Sequence, residues 1–157
     1  MKTLLIIEDT EELLENLKEY FEMEGFKVVG ARSGKIGVEL AEELTPDLII
    51  CDVLMPELDG FQVLDKILHM AKTYKIPFIF STSLSEKVNK EQALRLGADD
   101  YIIKPFELDS LLKLVNAWIK SGSLRHQVSL KTQTKLIKFK RLIPRWRLTT
   151  LSPYSPK

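Results

Sequence analysis

The sequence predicts a doubly wound α/β domain over residues 1–120, and three observations predict it. Short apolar runs alternate with longer amphipathic stretches. The run Leu48-Ile49-Ile50-Cys51 is apolar at every position, as in a strand covered by helices on both faces. Five strand-helix alternations fit into about 120 residues, which calls for parallel strands joined by right-handed crossovers.

Leu4 to Ile7 reads as the first strand. Leu13, Leu17, Tyr20 and Phe21 then recur at helical spacing until Gly25 stops the pattern. Phe26 to Val29 reads as the second strand; Ser33-Gly34 opens a helix whose buried stripe is Val38, Ala41 and Leu44, and Thr45-Pro46 breaks it. After the third strand, a loop containing Met55-Pro56 and Asp59-Gly60 leads to a helix striped by Phe61, Leu64, Ile67, Leu68 and Ala71. Pro77 introduces the fourth strand, Phe78 to Phe80, and a polar helix from about Ser85 to Leu96 ends at Gly97. Tyr101 to Ile103 forms the fifth strand, and Leu108, Leu111, Leu112, Val115 and Ile119 stripe the last helix.

Composition excludes several classes. With 45% apolar and 29% charged residues the chain is in the ordinary globular range. Apolar runs of about four residues fall far short of the roughly 18 needed to span a bilayer, and Met1-Lys2-Thr3 opens no secretory signal, so a soluble cytoplasmic protein is expected. A single cysteine, Cys51, forms neither an internal disulfide nor a multi-thiolate metal site and reads as a small buried hydrophobe; His69 and His126 show no ligand spacing. The net charge of +1 hides a division. Residues 1–120 hold 14 Lys and Arg against all 22 Asp and Glu, whereas residues 121–157 hold 9 basic residues and no acid. The expected boundary is Ser121-Gly122-Ser123, separating a domain, 1–120, from a basic tail, 121–157.

In open parallel sheets functional groups gather at the carboxyl ends of strands. Glu8-Asp9 follows the first strand, Asp52 the third, Thr82 lies at the end of the fourth, and Lys104-Pro105 follows the fifth. Three carboxylates at one rim repel one another unless a cation joins them, and an all-oxygen set of few protein ligands suits magnesium. Each residue also has a simpler reading. Asp9 with Glu12 makes a capping box, Asp52 a turn residue, Lys104 a solvated lysine, Tyr101 a strand aromatic, and Thr82 within Ser81-Thr82-Ser83 a polar loop position. Together those readings require five independent accidents at one rim.

The set Glu8-Asp9, Asp52, Met55-Pro56 with Asp59-Gly60, Thr82, Gly97-Ala98-Asp99-Asp100-Tyr101 and Lys104-Pro105-Phe106 resembles the receiver domain of bacterial two-component response regulators, of the chemotaxis-regulator type. The resemblance covers residues 1–120 and implies a flavodoxin-like three-layer sandwich with a five-stranded parallel sheet in the order 2-1-3-4-5. It implies that Asp52 takes a phosphoryl group from a sensor histidine kinase or phosphotransfer protein, becoming an aspartyl phosphate. It also implies Mg2+ bound by Asp9, Asp52 and the backbone carbonyl of Leu54, with Glu8 holding a ligating water. Lys104 and the Thr82 hydroxyl would meet phosphoryl oxygens while Tyr101 rotates inward. The fourth helix, fifth strand and last helix would then control a downstream protein, with a homodimer through these helices compatible. Such a protein is a phosphoacceptor switch that assists its own phosphotransfer and autodephosphorylation rather than an enzyme in its own right. Leu54 and Leu84 are apolar where some receivers orient an attacking water, which predicts slow dephosphorylation. A haloacid-dehalogenase-type phosphatase wants a second Asp two residues after the nucleophile, where this chain has Leu54.

The tail interleaves Lys131, Lys135, Lys138, Lys140, Arg141, Arg145 and Arg147 with Phe139, Trp146 and aliphatics, a composition that could meet nucleic acid or an anionic membrane surface. At 37 residues it is shorter than the roughly 60 expected of a helix-turn-helix output domain, and Leu148 to Lys157 has a disordered composition. Little fixed structure is the leading expectation. Self-association or docking on the acidic domain comes second, and DNA contact, which would make the chain a transcriptional regulator, third.

Overall fold

The computed structural model describes residues 1–83 and 90–123, all of which fall in one unit, Met1–Arg125. The readings of the tail beyond Ser123, of Leu84 and of a helix start at Ser85 lie outside the described residues. Strands β1 (Thr3–Ile7), β2 (Lys27–Ala31), β3 (Leu48–Asp52), β4 (Phe78–Ser83) and β5 (Asp100–Lys104) alternate with helices α1 (Glu11–Met23), α2 (Gly34–Leu44), α3 (Gly60–His69), α4 (Lys90–Arg95) and α5 (Leu108–Ser121). All strand pairs are parallel, in the order β2-β1-β3-β4-β5, the order that the resemblance implies.

Side chains alternate across the sheet and build two cores. On one face Leu4, Ile6, Leu48, Ile50 and Ile79 pack against Leu14, Leu17 and Phe21 of α1 and Leu111 and Val115 of α5. On the other, Leu5, Ile7, Ile49, Cys51, Phe78 and Phe80 meet Ala41 of α2, Val63, Leu64 and Ile67 of α3, and Ala93 of α4. Burying each large aliphatic or aromatic side chain contributes about 1.5–3 kcal/mol, which makes these two cores the main stabilising term of the fold.

Several boundaries and stripes differ from expectation. Strand β2 runs on through Gly30 and Ala31 because it stays in register with β1 as far as Ile7↔Ala31. Strand β4 runs past Phe80 through Ser81, Thr82 and Ser83, so that triplet is paired strand and not loop. Leu14 rather than Leu13 is buried on α1, Leu44 at the end of α2 is exposed, and Ala71 lies beyond α3, which stops at His69. The Thr73 hydroxyl donates to the carbonyl of Ile67 at 2.8 Å, satisfying a helix-end acceptor there. Helix α5 closes with Gly122 at its C-cap, φ 72°.

Asp99 and Asp100 take structural roles. The buried Asp99 accepts from the Phe78 amide at 2.8 Å, tying the starts of β4 and β5 together. Asp100 accepts from its neighbour's amide and from the Trp118 indole at 2.9 Å, joining β5 to α5.

Candidate functional site

The sheet delivers the acids side by side. Extending the register Ile7↔Cys51 by one residue sets Glu8 beside Asp52, the last residue of β3. Their side chains share the face of Ile6 and Ile50, the α1 and α5 side. Glu8 is 2% exposed and Asp52 5%, and one ligand oxygen from each of Glu8, Asp9 and Asp52 lies within 4.8 Å of the others. Asp9 is half-buried and is not a cap. The N-cap of α1 is Thr10, and no side chain caps there, so the capping box read from Asp9 and Glu12 does not form. The capping box that does form pairs Asp59 with Gln62 at the start of α3.

Lys104, at the end of β5, reaches back over the sheet. Its Nζ donates to Glu8 Oε2 at 2.8 Å and forms an ion pair with Asp52 Oδ1 at 3.2 Å, so it is not a solvated lysine. Desolvation works against its charge, but the hydrogen bond and charge of Glu8, with Asp52, outweigh it and raise its pKa above the ordinary lysine value. The other Glu8 oxygen accepts from the Thr10 amide at 3.1 Å. Three acids against one lysine leave an anionic, all-oxygen pocket whose chemistry fits a hard divalent cation.

The loop after β3 is held tightly against the end of that strand. Glu57 has φ 66°, and the Leu58 amide donates to Pro56 at 2.8 Å, a three-residue turn in a strained region for a side-chain-bearing residue. Gly60 starts α3 with its amide donating to Val53 at 2.8 Å. A Cβ there would lie 2.3 Å from the Asp52 carbonyl oxygen. The loop leaves the Leu54 side chain 60% exposed at the rim.

Thr82 is fully buried, and its hydroxyl has no hydrogen-bond partner among the described residues. Strand alternation puts it on the side opposite Asp52, the face of Phe80 and the half-buried Tyr101, which are register partners. The structure therefore brings Glu8, Asp9, Asp52 and Lys104 together and places Thr82 and Tyr101 on the other face of the sheet. Composition does not settle which hydroxyl of Ser81-Thr82-Ser83 is used, and the pairing makes Ser81 the register partner of Asp52, a placement that depends on β4 running past Phe80.

Cys51 is buried and free, and desolvation followed by the charge of Asp52 pushes its thiol well above the usual range. Iodoacetamide at pH 8 is expected to leave the native protein unlabelled and to add one label after urea unfolding, as read by intact mass.

The response regulator receiver domain profile matches residues 4–116. PilH of Pseudomonas aeruginosa is 36% identical over 117 residues, which are 74% of this chain and 97% of PilH. The DNA-binding dual master transcriptional regulator RpaA of Synechocystis is 36% identical over 120 residues, 76% of this chain and 50% of RpaA. The chain thus spans nearly all of one relative and half of the other. Among solved structures, the receiver domain of Francisella response regulator 1452 superposes with a TM-score of 0.70 at 32% identity, over 77% of this chain and 98% of that domain. The receiver domain of the P. aeruginosa sensor histidine kinase PA1611, with magnesium coordinated in its active-site cleft, gives 0.66 at 26% identity, over 76% and 98%.

Proposed function

Because the chain belongs to the response-regulator receiver family, we propose that it is a cytoplasmic phosphorylation switch that takes a phosphoryl group onto Asp52 from a histidine kinase or phosphotransfer protein. The observation that carries this reading is the convergence of Glu8, Asp9 and Asp52 within 4.8 Å, with Lys104 bridging two of them. An Asp52 carboxylate oxygen attacks phosphorus as the bond from phosphorus to the donor's imidazole nitrogen breaks, and that nitrogen keeps the bonding pair. Such transfers need positioning and charge neutralisation more than covalent help. The raised pKa of Lys104 keeps it an ammonium, free to shift from Asp52 to a phosphoryl oxygen. Glu8, Asp9, Asp52 and the Leu54 carbonyl would hold magnesium, which when bound neutralises charge on the transferring group.

The buried Thr82 hydroxyl, which has no hydrogen-bond partner among the described residues, supports its role as a donor to the phosphoryl group. Because it shares a face with Tyr101, its movement toward Asp52 opens space for the ring, and the α4, β5 and α5 surface changes toward a downstream protein. Incubation with acetyl phosphate and magnesium is expected to add one phosphoryl mass to the intact protein; an unchanged mass would overturn the reading. With Leu54 exposed beside the acceptor and no polar group at that position to orient water, the phosphorylated form is expected to decay over minutes to hours. Decay within seconds would contradict that expectation.

A second reading, a DNA-binding regulator, has the resemblance to RpaA in its favour. The near-complete coverage of PilH supports a receiver acting through protein contacts instead. The two separate in a DNA-binding titration against salt, where the second requires binding that weakens steeply with ionic strength and vanishes on truncation at Gly122.

A further inference from the structure

We propose that the Ser81 hydroxyl is a positioning group for the phosphoacceptor, donating a hydrogen bond to the Asp52 carboxylate; this rests on Asp52 being the acceptor. Ser81 and Asp52 are register partners on adjacent strands. Alternation puts Ser81 on the face of Ile79 and Asp52 on the face of Ile50, which is the same face. With Glu8 beyond Asp52, the row across the sheet reads Glu8, Asp52, Ser81, Ile102. Ser81 is 2% exposed, and its Oγ has no hydrogen-bond partner among the described residues. A buried hydroxyl without an acceptor is costly, so the nearest acceptor decides its role. Its neighbours on that face are Ile79 and Ser83 along its own strand and Ile102 on the far side, and the charged acceptor next to it in the row is the Asp52 carboxylate, one strand spacing away. Rotation about the Cα–Cβ bond of Ser81 turns the hydroxyl toward it.

The consequence is geometric. Lys104 draws Asp52 Oδ1 from the β5 side at 3.2 Å. A donor on β4 fixes the carboxylate plane from a second direction, so that one lone pair faces the incoming phosphorus.

The test uses S81A, S81T and S81V, followed with acetyl phosphate and magnesium. S81A and S81V are expected to lower the maximal phosphorylation rate about 5- to 10-fold with the half-saturating acetyl phosphate concentration unchanged, and S81T, which keeps the hydroxyl, to stay within about twofold of the parent. A second readout needs neither metal nor phosphodonor: the shift in urea midpoint caused by S81A is expected to shrink by at least half in the D52A background. Equal rates for parent and S81A, or equal losses for S81T and S81V, would overturn the inference. Additive urea shifts would do the same. Failure of the parent itself to gain the phosphoryl mass would instead overturn the acceptor reading.

Discussion

Substituting Asp52 by asparagine is expected to abolish phosphoryl uptake and, in the same protein, to make the resting fold more stable. The two effects have one origin. At an effective dielectric of about 20, each carboxylate repulsion at about 4.8 Å costs roughly 3.5 kcal/mol, while attraction to an ammonium at about 3.2 Å returns roughly 5 kcal/mol. Asp52 faces two carboxylates within 4.8 Å and one ammonium at 3.2 Å, so repulsion wins in the absence of a cation. Solvent screening at the half-buried Asp9 reduces the surplus, and a gain of about 1 kcal/mol is expected for D52N in urea unfolding without magnesium. The parent should recover that difference as magnesium is added. Intact mass after acetyl phosphate treatment reads the first effect. A phosphoryl adduct on D52N would move the acceptor elsewhere, and a less stable D52N would show that the acids are not in net repulsion.

Replacing Gly60 by alanine should be the most damaging single-methyl change near the site. The added Cβ would sit 2.3 Å from the Asp52 carbonyl oxygen and 2.8 Å from the Val53 Cα, and both are backbone atoms that cannot swing aside. Either α3 lifts off the end of β3, breaking the Gly60 amide bond to Val53, or β3 shifts and carries Asp52 with it. A loss of about 2–3 kcal/mol is expected from overpacking of this kind. Phosphoryl uptake should fall even in conditions where the variant is fully folded by circular dichroism. Parent-like stability would mean that the loop after β3 yields more easily than its hydrogen bonds imply.

Much of the fold was legible because each strand and helix carries its own hydrophobic period, and Gly25, Thr45-Pro46 and Gly97 punctuate them. Strand ends were less so. Gly30 and Ala31 in β2, and Ser81 to Ser83 in β4, lack an apolar signature and are extended only because the neighbouring strand continues to pair with them. Pairing across the sheet is a nonlocal cause that no local window records. The same limit applies to the site. The acids could be placed at strand ends by counting, but that Lys104 bonds Glu8 across 96 residues of chain depends on β1, β3, β4 and β5 lying in a particular spatial order. Asp9 shows the reverse failure: a local motif, complete in the sequence, was not used, because the chain enters α1 one residue later at Thr10.

The strand order has a further consequence. β3 is central, with β1 to one side bringing the acids and β4 then β5 to the other bringing the hydroxyls, the ring and the lysine. The acids and the lysine that offsets them thereby arrive from opposite flanks of the sheet and meet across β3, where Lys104 pairs with both Glu8 and Asp52. A shift of the β5 flank would therefore change the balance of charge around Asp52 and the outer surface of the sheet together, because one lysine belongs to both.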